Sequence, residues 1–186
     1  KMTHISRRTF ALGAVAGTTL AACGNGIGGN GAATIDARVA STLNFMYDRY
    51  PGTRNLANKS AGMLVMPLVT ELGLGVGGSF GRGALQVGGS TVDYYSSAGA
   101  SAGLQIGGQQ YSHVLFFMTE ESLLDFRRSQ GWAAGADIEY AINDQGEVLR
   151  AETTTSLAPV IAVVFAQAGL RVGATLEGSK YTRIIP

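Results

Sequence analysis

The chain is poor in the side chains that most often carry chemistry. Cysteine occurs once, at Cys23, and histidine twice, at His4 and His113. A single thiol excludes an internal disulfide framework even where the compartment would allow one. With so few soft ligands no zinc cluster can be assembled within the chain. Charged residues make up only 15%, with no Lys/Arg run. The formal charge is +1, but Lys1, Arg7 and Arg8 lie in a segment expected to be removed; without those three of the 14 basic residues, 11 face 13 acidic ones. A mildly acidic domain with no basic run is a poor nucleic-acid partner. Phe10–Ala22 is apolar or small, yet too short to span a bilayer as a permanent helix.

Glycine is what the chain has in excess: 27 of 186 residues, against a usual share of ~7%. Between Gly73 and Gly108 it alternates with Leu, Val, Ile and Phe at a period of two, the period of a strand. Leu74, Val76 and Phe80 then share one face, while Gly73, Gly75, Gly77 and Gly81 leave the other nearly bare. A bare strand face forfeits packing and backbone entropy unless another layer or a ligand comes close to it. At 46% hydrophobic, the chain suits one globular domain with a real core.

The first residues read as an export signal. Lys1–Thr9 is polar and basic and Phe10–Ala22 follows as an apolar region. Ser6-Arg7-Arg8-Thr9-Phe10 resembles a twin-arginine signal. Leu20-Ala21-Ala22-Cys23 resembles a bacterial lipobox, whose cysteine is alkylated by a diacylglyceryl group before cleavage. Residues 1–22 are thus expected to be a signal peptide, with Cys23 the lipid attachment site. One acyl chain anchors only marginally, at ~0.8 kcal/mol per buried CH₂, whereas two or three hold firmly. Gly24 after the cysteine resembles lipoproteins sorted to the outer membrane. Gly24–Thr34 reads as a flexible tether with a reach of roughly 17–20 Å, and residues 35–186 as the domain.

Within the domain the expected fold class is α+β: a large glycine-rich antiparallel sheet able to curl toward a barrel, with N-terminal helices and one mid-chain helix. Thr34 caps a helix over Ile35–Tyr50 with Ile35, Val39, Leu43, Met46, Tyr47 and Tyr50 on one face. Pro51-Gly52 stops it, and a short helix covers Thr53–Ala61. Met63–Met66 reads as a strand ended by Pro67. Gly73–Gly81 and Gly83–Val87 suggest a hairpin across Gly81-Arg82-Gly83, with another turn at Gly88-Gly89-Ser90. Strands follow at Val92–Ser96, Gly99–Gly108 and Tyr111–Met118. Thr119 caps a helix over Glu120–Gln130, acidic in its first turn, with Gly131 as stop. Further strands are expected at Ala134–Ile142, Glu147–Thr155, Val160–Ala166 and Gly169–Glu177. The repeats LGVGG, LQVGG and LQIGG are unequally spaced and mark similar strands, not a solenoid.

Several motifs suggest chemistry and fail on context. Gly73-Leu74-Gly75-Val76-Gly77-Gly78 matches G-x-G-x-x-G with Asp93 beyond it, but a dinucleotide site needs a helix to open there, and Ser79-Phe80-Gly81-Arg82-Gly83 is a poor helix. Gly99-Ala100-Ser101-Ala102-Gly103 matches G-x-S-x-G, but no acid lies between Ser101 and His113 and the serine fits a strand position. His113, inside the apolar run Tyr111–Met118, reads as a satisfied sheet histidine. Asp144 and Glu147 fit a solvated turn better than a calcium loop. Tyr94, Tyr95, Phe116, Phe117 and Trp132 could form an interface belt, though sheet-core packing is preferred. No catalytic residue, metal ligand or cofactor is expected, and the chain is not read as an enzyme.

More specific than any of these is AGMLVMPLVTELGLGVGGSFGRGALQVGG at Ala61–Gly89, continued by TVDYYSSAGASAGLQIGGQQ, VLFFMTEESLLDF and GLRVGATLEGS. These blocks, in this order, resemble the SYLF domain family over about Ile35 to the C-terminus. The resemblance implies a lipid-binding module; eukaryotic members bind phosphoinositides, partly through their N-terminal helical region. By position that region is Ile35–Tyr50 with Arg54 and Lys59. Glu71 stands where relatives often carry a lysine. The actin binding of some relatives is not expected to transfer to an exported lipoprotein, and anionic phospholipids replace phosphoinositides as the expected ligands. Arg38, Arg49, Arg54 and Lys59 are the candidate headgroup-binding residues, with the apolar helix face either entering the headgroup boundary or, the preferred reading for the helix itself, packing on the sheet. The alternative is a structural or interaction module of the envelope, with an envelope protein as partner and no lipid contact beyond the anchor.

Overall fold

The computed structural model describes residues 30–135, 138–140, 158–166, 169–170, 176 and 178–186. The expected signal peptide, Cys23 and the first part of the expected tether lie outside the described residues, as do Asp144 and Glu147. Two helices open the domain, α1 (Gly31–Arg49) and α2 (Thr53–Lys59). Two long strands follow, β1 (Gly62–Val87) and β2 (Ser90–Phe117), then helix α3 (Glu120–Arg128). Short strands β3 (Trp132–Ala133), β4 (Ile138–Tyr140), β5 (Val160–Ala166), β6 (Gly169–Leu170) and β7 (Lys180–Ile184) complete the described elements. The strands form one curled sheet in the order β3-β7-β2-β5-β4, with β1 also on β2 and β6 on β5. The α+β expectation holds. The pairs are antiparallel except for β4 with β5, which run parallel.

The helices start and stop differently from expectation. Helix α1 begins at Gly31, so residues 31–34 belong to the helix and not to the tether. Thr34 is no cap: its hydroxyl and amide both donate to the Asn30 carbonyl, one turn back, at 2.8 and 2.9 Å. Helix α2 ends at Lys59, two residues short of Ala61. Thr119 does cap α3, its hydroxyl accepting from the Ser122 amide at 3.1 Å. That helix ends at Arg128 with Ser129 as C-cap, so Gly131 is not its stop.

The sheet is simpler than its punctuation suggested. Pro67 does not end the first strand. The β1–β2 register slips between Met66 and Val69, and Pro67 sits in that bulge, where no ladder amide is required. Its carbonyl accepts from the Ser112 hydroxyl at 2.7 Å. No hairpin turns at Gly81-Arg82-Gly83: β1 runs straight through, and the turn is at Gly88 and Gly89, with φ of 58° and 80°. The three strands expected between Val92 and Met118 are one strand, β2. Strand β5 covers Val160–Ala166 as expected, whereas β7 was not anticipated. Of the strands expected at 134–142, 147–155 and 169–177, only Ile138–Tyr140 and Gly169–Leu170 fall within described strands.

At Gly81 and Gly83 what covers the bare glycine face is β1 itself. A Cβ on Gly83 would collide with the Val65 carbonyl, and one on Gly81 would meet the Leu68 carbonyl at 2.8 Å. A Cβ on Gly62 would meet the Gln86 carbonyl at 3.2 Å. The strand therefore doubles back across its own beginning, and glycine is what lets the two backbones approach. The fold encloses one core of Leu64, Met66, Leu85, Tyr95, Leu115 and Phe117, closed by Leu123 and Phe126 of α3. On the outer face α1 and α2 seal a second core with Val65, Ala84, Val114, Phe116, Ile161, Val163 and Phe165. Burying each Val, Leu, Ile, Met or Phe side chain among them contributes about 1.5–3 kcal/mol.

Candidate functional site

The candidate site begins with α1, because its two sides do different work. Ile35, Val39, Leu43, Met46 and Tyr50 recur at helical spacing and are buried against the sheet. Phe45 and Tyr50 both reach Phe165 of β5, with ring centroids 5.9 and 6.1 Å away. Of the two placements open to this apolar face, a headgroup layer or the sheet, the structure takes the sheet. The physical reason is that Val114, Phe116, Ile161 and Val163 offer it a dry surface within the same chain.

A polar clasp fixes the start of the helix. The Asp36 carboxylate accepts from the Thr91 hydroxyl at 2.9 Å and from the Tyr94 hydroxyl at 2.8 Å. Burial, and after it the Asp36 hydrogen bond and charge, hold the Tyr94 phenol above its ordinary pKa. These partners lie 55 and 58 residues apart in sequence, so no local pattern could reveal them.

All four candidate basic residues are exposed. Arg38 and Arg49 lie three turns apart on one flank of α1, the flank that carries Phe45. Arg54 belongs to the other flank. Its guanidinium lies 3.6 Å from Asp48 and 4.8 Å from the centre of the Tyr47 ring. Burial pushes the Tyr47 phenol up, and the Arg54 charge partly offsets this. Lys59 ends α2. The structure thus places the four on one helical layer but divides them between its flanks. Among the described residues Arg38, Arg49 and Lys59 have no acidic partner within ion-pair distance.

The remaining chemistry-bearing residues serve packing. His113 is fully buried on β2, with Tyr181 beside it, and burial lowers its pKa to about 3. Tyr95, Phe116 and Phe117 are buried, and Tyr94 and Trp132 pack against the cores, so the aromatic set is sheet core. Gly73–Gly78 is strand, with no helix opening after it. No group of three or more His, Cys, Asp or Glu able to hold a metal occurs among the described residues. None of the described helices is long and apolar enough to cross a membrane.

Residues 98–183 match the sequence model of the Ysc84 family, described as Las17-binding protein actin regulator. Over that stretch the chain is similar to the SYLF (Ysc84) family. The match begins at Ala98 in β2 and ends at Arg183 in β7, so it takes in α3 and the short strands. The SYLF-like blocks at Ala61–Gly89 precede it but pair with it along the β1–β2 ladder, from Phe80 on Ala98 to Gly62 on Phe117. No curated protein matches the chain.

Sequence reasoning missed two polar features of this fold. One is the Asp36 clasp. The other is Asp93, whose carboxylate holds Arg127 at 3.2 Å and Arg183 at 3.5 Å. It also missed how strand register brings Phe80, Arg82 and Lys180 to one face; the only signal was that Phe80 falls on the apolar side of the glycine alternation.

Proposed function

We propose that this protein is a lipoprotein of the bacterial cell envelope whose SYLF domain binds anionic phospholipid headgroups. The family match supports a lipid-binding or actin-regulator-type module in general. The observation that carries the finer reading is the set of exposed cations on the helical layer: Arg38, Arg49 and Lys59, without acidic partners among the described residues, and Arg54. Near an anionic surface each contributes ~1 kcal/mol. Because the apolar face of α1 is committed to the sheet, these residues act as surface contacts and not as an inserted amphipathic helix. Cys23 is the acylated anchor, exported by the twin-arginine route and held at the outer membrane, facing the periplasm or the cell surface. The reading assigns no catalytic role and no cofactor.

A second reading is a protein-interaction module whose only membrane contact is the anchor. It draws on the family description, which is of a protein-binding regulator. Sedimentation of the full chain carrying Cys23→Ser with vesicles separates the two. Lipid binding predicts salt-sensitive capture by phosphatidylglycerol vesicles beyond any capture by phosphatidylcholine. Replacing Arg54 and Lys59 by Gln should weaken that increment by about thirtyfold, two charges at ~1 kcal/mol each. Equal capture by both vesicle types at every salt concentration defeats the lipid reading and leaves the interaction module.

A further inference from the structure

The outer face of the sheet extends beyond the area that α1 and α2 cover. Ala84 and Tyr94 stand opposite each other and both pack in the core under α1, which identifies their common face. No register shift intervenes between Phe80 and Ala84, so Phe80 and Arg82 point to that same side. Across the ladder Phe80 pairs with Ala98 and Ala98 with Lys180, while Arg82 pairs with Ser96 and Ser96 with Thr182. Two adjacent cross-strand rows thus place an aromatic ring, two cations and small or hydroxyl side chains on one outward surface.

Three properties of this surface point the same way. Phe80 is 53% exposed although it is a large apolar side chain on a sheet that has two cores available to it. Arg82 lies against that ring, 6.0 Å from its centre, and is itself exposed. Neither Arg82 nor Lys180 has an acidic partner within ion-pair distance among the described residues. An exposed aromatic flanked by unneutralised cations suits the boundary of an anionic lipid layer, with the ring at headgroup depth and the charges on phosphates.

We infer that the outward rows Phe80–Ala98–Lys180 and Arg82–Ser96–Thr182 form the surface that docks on anionic phospholipid. This rests on the lipid-binding reading and adds to its helical-layer cations an apolar contact on the sheet beside them. The small side chain of Ala98 between Phe80 and Lys180 leaves the ring free to meet a flat surface. Arg82 and Lys180 supply the electrostatic part, at about a fivefold gain in affinity per charge.

The chain's single cysteine makes a site-specific test possible. In the full chain with Cys23→Ser, an environment-sensitive dye is attached either to Ala98→Cys or to Ser41→Cys on the exposed side of α1. The local signal is independent of any insertion by the apolar N-terminal segment. With phosphatidylglycerol vesicles at low salt, the dye at position 98 should shift to the blue and brighten, and that at position 41, beside arginines that only touch headgroups, should shift less. Phosphatidylcholine vesicles should change neither. Arg82→Gln with Lys180→Gln should raise the vesicle concentration needed by about thirtyfold, with unchanged circular dichroism reporting an intact fold. Salt-sensitive capture of the protein with an aqueous signal at position 98 overturns the docking surface and spares the lipid reading. Absence of any preference for anionic vesicles defeats both. A blue shift at position 98 that grows with protein concentration without vesicles assigns the surface to a second copy of the chain and overturns the inference.

Discussion

The hydroxyl of Tyr181 lies 2.8 Å from Nε2 of His113, and both side chains are buried where β7 and β2 share the inner core. Nδ1 of the same ring has no hydrogen-bond partner among the described residues. This is one of the contacts that bring the C-terminal strand onto the central one.

A buried imidazole of this kind makes stability fall with acid. Desolvation lowers the folded-state pKa to about 3, against 6.5 in the unfolded chain. Between those values the unfolded state binds a proton that the folded state refuses. The stabilisation is therefore complete above pH 6.5 and is lost as the pH falls, by up to ~1.4 kcal/mol per unit. Urea midpoints measured from pH 7 to pH 4 should decline steadily, and His113→Leu should flatten that decline. Parallel pH profiles for the two proteins would show that the ring does not carry it.

Gly83 and Gly88 should respond differently to alanine. At Gly83 a Cβ would run into the Val65 carbonyl and the Met66 sulfur, and a backbone atom cannot step aside. Overpacking of this sort costs about 1–3 kcal/mol or more. At Gly88 nothing lies within 4 Å, and the cost is that of a left-handed φ of 58°, ~1–2 kcal/mol. Gly83→Ala should lower the thermal midpoint the more of the two and loosen amide protection along both halves of β1. Equal losses at the two positions would mean that the strand does not close on itself as described.

Asp93 joins α3 to β7 through Arg127 and Arg183, and its side chain is only 15% exposed. Arg183 also donates to the Arg127 carbonyl at 3.0 Å, so the three residues form a small network. Asp93→Asn should cost about 1–3 kcal/mol, because a largely buried acceptor of charged hydrogen bonds is lost. Exchange should quicken first at α3 and β7. If Asp93→Asn leaves the denaturant midpoint unchanged, the network contributes no more than an exposed pair.

Asp36 offers a matching test on the opposite face. Asp36→Ala removes the acceptor for both Thr91 and Tyr94 and should free the N-terminal turns of α1 before the rest of the helix. The expected loss is about 1–2 kcal/mol, read as faster amide exchange at 35–39 with little change near Met46. A uniform change along α1 would show that packing alone positions the helix.

Much of this fold was legible along the chain. The apolar spacing from Ile35 to Tyr50 marked α1 and the face it buries, Thr119 and the acids after it marked the start of α3, and Val160–Ala166 marked β5, because local periodicity and capping act within one turn or one strand. The SYLF resemblance and the glycine alternation together marked a sheet with a bare side. Turn chemistry misled at Pro67 and at Gly81-Arg82-Gly83. A bulge absorbs the proline, and those glycines are there for a close approach, not a turn. Which glycines turn and which are overlain depends on residues some twenty positions away. The same holds for function. The exposed arginines of the helical layer could be named from sequence, but that Asp36 clasps Tyr94 and that Phe80, Arg82 and Lys180 meet on one surface were decided by strand register. Register is a property of the paired strands and is carried by no single segment.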